Sequence, residues 1–156
     1  FALPVVILSV ANVIAPTPVI TFATAALETV FYFYAAGSLI TYMLQDWHVQ
    51  VDELFAAGAT FTLLAWAFAY AFVVCQALVP GTFGHADAVP GPRTWMELLY
   101  LSVAVLSSVG LSDIYPVKPM GRALVMLESI VGIMYIALVV SRLIGMSTHS
   151  RRTSQD

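Results

Sequence analysis

Four apolar stretches, separated by short polar or proline-rich breaks, set the pattern of this chain. Phe1 to Ala15 spans about 22 Å as a helix, short of the roughly 30 Å hydrocarbon core of a bilayer. It is expected to belong to a transmembrane helix whose start precedes Phe1. Pro16-Thr17-Pro18 ends it, because proline lacks the backbone donor and clashes with the preceding turn. Val19 to Leu44 predicts a second helix of about 39 Å, interrupted only by Glu28. Gln45 to Glu53 is a polar connector. Leu54 to Val79 is a third helix with no charged residue. Pro80 to Arg93, rich in glycine and proline, is a loop. Met120 to Met146 is the fourth long apolar helix, and residues 147–156 form a polar tail.

Trp95 to Leu106 differs from these. As a helix it spans about 18 Å, too short to cross a membrane. Thr94-Trp-Met-Glu97 has the pattern of a capping box, with a threonine hydroxyl taking one free backbone N–H and a glutamate reaching back to another. A short helix therefore starts after Pro92 and must return before Met120. Irregular backbone at membrane depth survives only inside protein or along a water-filled cavity. A re-entrant helix followed by Ser107-Ser-Val-Gly-Leu-Ser-Asp113 meets that condition. An interfacial helix is the competing reading, but Leu98 to Leu106 has almost no polar face.

Composition agrees. Hydrophobic residues make up 60% and charged residues 10% of the 156, against roughly 25% charged in soluble domains. Mean hydropathy is +0.90. The expected class is an all-α integral membrane protein. No nucleophile–base pair, phosphate loop or metal-ligand cluster is visible, so no enzyme activity, cofactor or nucleic-acid partner is expected. Cys75, the one cysteine, is read as a small buried apolar residue. His48, His85 and His149 are scattered and read as solvated loop residues, with His48 beside Asp46 as a weak sensor candidate.

Charge placement narrows the class further. No lysine or arginine precedes Arg93, so the helices before it cannot form an arginine-bearing voltage sensor. Glu28 stands roughly 13 Å into the second helix. An intramembrane carboxylate is a candidate proton or cation sensor, with a hydrogen-bonded structural role as the alternative. Glu128 is read as packing against the short helix. Arg142 is read as reaching the cytoplasmic interface. Phe31-Tyr-Phe-Tyr34 is read as helix packing, and Tyr42 and Trp47 as interfacial anchors. Arg93, Lys118 and Arg122 lie on one side and Arg142, Arg151 and Arg152 on the other, which leaves orientation open by charge alone.

Residues 54–146 resemble the pore module of tetrameric potassium channels of the bacterial two-helix, pore-loop type. In those terms 54–79 is the outer helix, 80–93 the loop, 94–106 the pore helix, 107–113 the filter and 120–146 the inner helix. The family filter T-V-G-Y-G-D is met here by Ser108-Val109-Gly110-Leu111-Ser112-Asp113. Ile114-Tyr115-Pro116 and Gly121-Arg122 follow as in many members, and Gly132 falls at the hinge position. Val-Gly-Leu-Ser is also similar to the filter loops of Trk/Ktr-type potassium transporters.

The resemblance implies a cation path through Ser107, Ser108, Val109, Gly110, Leu111 and Ser112. A monovalent cation, potassium or another, would be held at Ser108, Val109 and Gly110, and Asp113 would stand at the outer mouth. Carbonyl rings from four chains replace the hydration shell in such filters, so a homotetramer is implied. Glycine allows the positive φ that alternating carbonyls need. Gly110 keeps one such position. Ser112 replaces a second glycine and would be strained there, or would relax and turn its carbonyl away. Leu111 lacks the hydroxyl of the family tyrosine. Ile133, Ile136, Val140 and Ile144 form one stripe that in the family lines the cavity and gate, with Gly132 as hinge. The resemblance also places the C-terminus in the cytoplasm, with a bacterial-type plasma membrane as location. Potassium-channel-like passive permeation with altered selectivity is the expected function. A non-conducting structural or regulatory subunit and a Trk/Ktr-like uptake unit are the alternatives. The role of residues 1–53, two helices and a connector, is not readable from the sequence.

Overall fold

The computed structural model describes residues 17–45, 51–87 and 90–152. The first apolar segment, Asp46, Trp47 and His48 lie outside these residues. Four helices and one small strand pair make up the described chain: α1 (Pro18–Gln45), α2 (Val51–Leu78), β1 (Phe83–His85), α3 (Trp95–Leu106), β2 (Ile114–Pro116) and α4 (Pro119–Arg152). Three of the helices, over Pro18–Leu44, Leu54–Leu78 and Pro119–Arg142, are long and apolar enough to cross a membrane. The expectation of four crossings is thus met by three among the described residues.

Local features mark several of the helix ends. Thr17 caps α1: its hydroxyl accepts from the Ile20 N–H at 3.3 Å, and Pro18 follows at the first helical position, where its missing donor costs nothing. α2 begins at Val51, three residues before the sequence pattern suggested. It ends at Leu78, just before Pro80 and a left-handed Gly81 (φ 76°). At α3 the capping box read from the sequence is formed: the Glu97 N–H donates to the Thr94 hydroxyl at 3.3 Å, and the Thr94 N–H donates to the Glu97 carboxylate at 2.6 Å.

Packing centres on α2, which lies against α1, α3 and α4. Phe68, Phe72, Leu98, Leu106 and Ile114 are fully buried. Lipid is as apolar as a side chain, so close approach of small residues rather than water exclusion holds such helices together. Buried alanines at 25 and 36 on α1 and at 57, 65, 67 and 69 on α2 provide that approach. Hydroxyls that lack water bond backward along their own helices: Thr24 to the Ile20 carbonyl, Thr29 to Ala25 and Thr60 to Ala56.

The region read as a loop between Pro80 and Arg93 contains a strand. β1 pairs antiparallel with β2 in the register Phe83–Pro116, Gly84–Tyr115, His85–Ile114. The segment between the strands, which includes α3, therefore leaves from and returns to one place. Gly84 is needed there because a Cβ would stand 2.9 Å from the Tyr115 ring. Gly121 is needed next to it: a Cβ would meet the Thr82 methyl at 2.5 Å.

Candidate functional site

The loop after α3 begins as a helix cap. The Ser108 N–H donates to the Val105 carbonyl at 3.0 Å and the Val109 N–H to Ala104 at 3.1 Å. This is the double bond pattern of a Schellman cap, which requires a left-handed residue at its turn. That residue is Ser108, at φ 60°. The Gly110 N–H then bonds the same Ala104 carbonyl at 2.9 Å, with Gly110 at φ 70°. Positive φ thus falls at 108 and 110. Ser112 is not left-handed, so the strain expected there is absent. Its hydroxyl instead accepts the Ile114 N–H at 3.1 Å and closes the loop's exit. Val109 and Leu111 stand 61% and 70% exposed on the single chain.

Asp113 is anchored twice. Its carbonyl accepts from the Ala86 N–H at 2.9 Å, and its carboxylate lies 3.2 Å from His85 Nε2. His85 Nδ1 accepts the Asp87 N–H at 3.1 Å, which leaves Nε2 as the nitrogen that donates to Asp113. His85 is therefore no solvated loop residue. Its side chain is 13% exposed and ties β1 to the end of the loop.

Three further anchors hold α3. Gln76 of α2 brackets the backbone of Arg93: its amide donates to the Arg93 carbonyl at 2.8 Å and accepts the Arg93 N–H at 2.9 Å. Trp95 packs edge-on to Trp66 and tilted against Tyr70. On the other side Ser102 meets both the Ala65 carbonyl of α2 and the Glu128 carboxyl of α4. Glu97 lies outside the crossing helices. The backbone N–H and then the hydroxyl of Thr94 hold its carboxyl below the ordinary value of 4.5.

Gly132 is buried on α4 with Leu106 against it. A Cβ would stand 3.0 Å from the Leu106 Cα and closer still to its carbonyl oxygen. α4 runs unbroken through this glycine. Ile133, Ile136, Val140 and Ile144 are exposed on the single chain, roughly a third of a turn from the buried Glu128–Gly132–Tyr135 face. Glu28 is buried in α1, hydrogen-bonded with Tyr70 and beside Tyr32. Tyr32 stacks on Tyr70, and Phe33 packs edge-on to Phe68. Arg142 donates to the Met43 carbonyl in the last turn of α1, where a cation is favoured. Among the described residues no group of three or more His, Cys, Asp or Glu could hold a metal ion.

His85, Gln76 and Ser102 were not singled out in the sequence as site-supporting residues. Gln76 is the one uncharged polar side chain near the end of an otherwise apolar helix, a signal that could have found it. Nothing in the sequence marks the others.

Residues 19–148 match a family model described as ion channel. No curated protein matches the chain. The match covers most of its length and reaches into every element built above, so the chain belongs to the ion channel family, which is not a family of enzymes.

Proposed function

We propose that the chain is one subunit of a homotetrameric, passive cation channel, with Ser107 to Ser112 as its filter and Asp113 at its outer mouth. α3 and the loop form a re-entrant pore element between the outer helix α2 and the inner helix α4. The observation that carries this reading is the loop itself. It follows a helix too short to cross, in a chain of membrane-length helices, and it returns to the strand pair from which it left. Gly110 is left-handed, as the glycine at that position of a carbonyl-lined filter is expected to be. A single loop cannot surround an ion, and Val109 and Leu111 are left uncovered on one chain. Neighbouring copies would cover them.

Ser108, Val109 and Gly110 hold the ion in this reading, with potassium as the permeant ion and weaker selectivity than a two-glycine filter. Ile136, Val140 and Ile144 line an apolar inner gate that closes by dewetting. Gly132 positions the inner helix against α3 and serves as its bend on gating. The C-terminus lies in the cytoplasm, and the site needs no cofactor. The experiment is Gly110→Ala in protein reconstituted in liposomes. Alanine at a left-handed position costs about 1–2 kcal/mol, so passive potassium flux is expected to fall at least tenfold in a tetramer that still assembles. Undiminished flux would remove the loop from the ion path.

A further inference from the structure

The Ser102 hydroxyl reaches two oxygens at once, the Ala65 carbonyl at 2.9 Å and Oε1 of Glu128. A hydroxyl carries one proton, and a backbone carbonyl only accepts. A carboxylate at 128 would also only accept, and one of the two oxygen pairs would then have no hydrogen between them. The other carboxyl oxygen, Oε2, is buried without a hydrogen-bond partner. Glu128 and Ser102 are both 0% exposed. A bare ionised oxygen in such a place is costly, whereas a neutral acid is far less so.

Among the described residues no ion pair reaches Glu128. On α3, Glu97 is engaged with Thr94. On α2, Tyr70 bonds Glu28 and Cys75 is a neutral thiol. On α4, Tyr135 donates to the Ala57 carbonyl and Arg122 to Pro116.

We propose that Glu128 is a proton-binding site. It is a carboxylic acid whose O–H donates to Ser102 while Ser102 donates to Ala65, so one proton locks α4, α3 and α2 together. The lock lies one helical turn from the Gly132–Leu106 contact. It therefore sets the position of the end of α3 and of the Ser108–Gly110 loop. Loss of the proton to hydroxide, giving carboxylate and water, leaves two acceptors facing each other and opens the lock. Glu128 is thus a positioning residue that acts through Ser102.

Infrared spectroscopy of the purified chain in lipid tests the assignment. The expected result at neutral pH is a protonated-acid C=O band that shifts on ¹³C-glutamate labelling and is missing in Glu128→Gln. Ser102→Ala, which removes the acceptor, should move the same band. A carboxylate band lost in Glu128→Gln, or no acid band in the unmutated labelled protein, would overturn the proposal. The amide of Glu128→Gln donates N–H in place of O–H and keeps the lock. Cation flux should therefore fall at alkaline pH in the unmutated protein and hold in this variant. Equal pH profiles would overturn the switch. The flux arm rests on the permeation reading and the infrared arm does not, so the two can fail separately.

Discussion

Gly132 of α4 sits directly against the backbone of Leu106, the last residue of α3. The loop that follows Leu106 therefore takes its position from the long helix behind it. Gly132→Ala puts a methyl group into the Leu106 carbonyl. Overpacking of this kind costs about 1–3 kcal/mol. The expected outcome is a lower melting temperature in detergent and a weakened flux, because the loop must move with Leu106.

Ser108 is the left-handed residue of the α3 cap, a place where glycine is the usual occupant. Ser108→Gly should raise stability by about 1 kcal/mol by removing that strain. The hydroxyl at the inner end of the loop is lost with it. A chain that melts higher yet discriminates less between cations is the expected result, checked by unfolding and flux on the same preparation.

Gln76 holds both backbone groups of Arg93. Gln76→Leu removes both bonds that the side chain makes to the Arg93 backbone, at about 0.5–1.5 kcal/mol each. Hydrogen exchange should quicken over the start of α3, while the middle of α2 keeps its protection.

Glu97 links folding to pH. Its carboxyl titrates lower in the folded chain than in the unfolded one, first because of the Thr94 N–H and then the Thr94 hydroxyl. The stabilisation is complete above its ordinary value of 4.5 and is lost as pH falls through the lower folded value. The stability gap between the unmutated chain and Glu97→Gln should therefore close on acidification below 4.5 and stay constant above it.

Long apolar runs made the membrane helices legible, because nothing else explains stretches of that length with so few charges, Glu28 alone in the second and none in the third. The capping box was legible because its two residues stand three apart and each bonds the other's backbone. The strand pair was not. Three residues with a glycine at the centre carry no alternation, and their partner lies across α3. The same separation hid His85–Asp113, and the intervening loop with β1 hid Gln76–Arg93. Ser112 was expected to carry the backbone strain by analogy with a two-glycine loop. The cap geometry moved the left-handed turn to Ser108, because helix termination acts before the loop begins. The filter-like loop was legible as a motif, whereas its anchoring depends on contacts made only in three dimensions.

Flux of K⁺, Na⁺ and Ca²⁺ into liposomes holding the purified chain, beside a Leu111→Tyr/Ser112→Gly double variant, tests the central claim most directly. Passive, potassium-favouring flux is expected from the unmutated chain, sharpened toward potassium in the double variant. No flux of any of the three ions from an assembled tetramer, with or without the double change, would contradict a cation path through this loop.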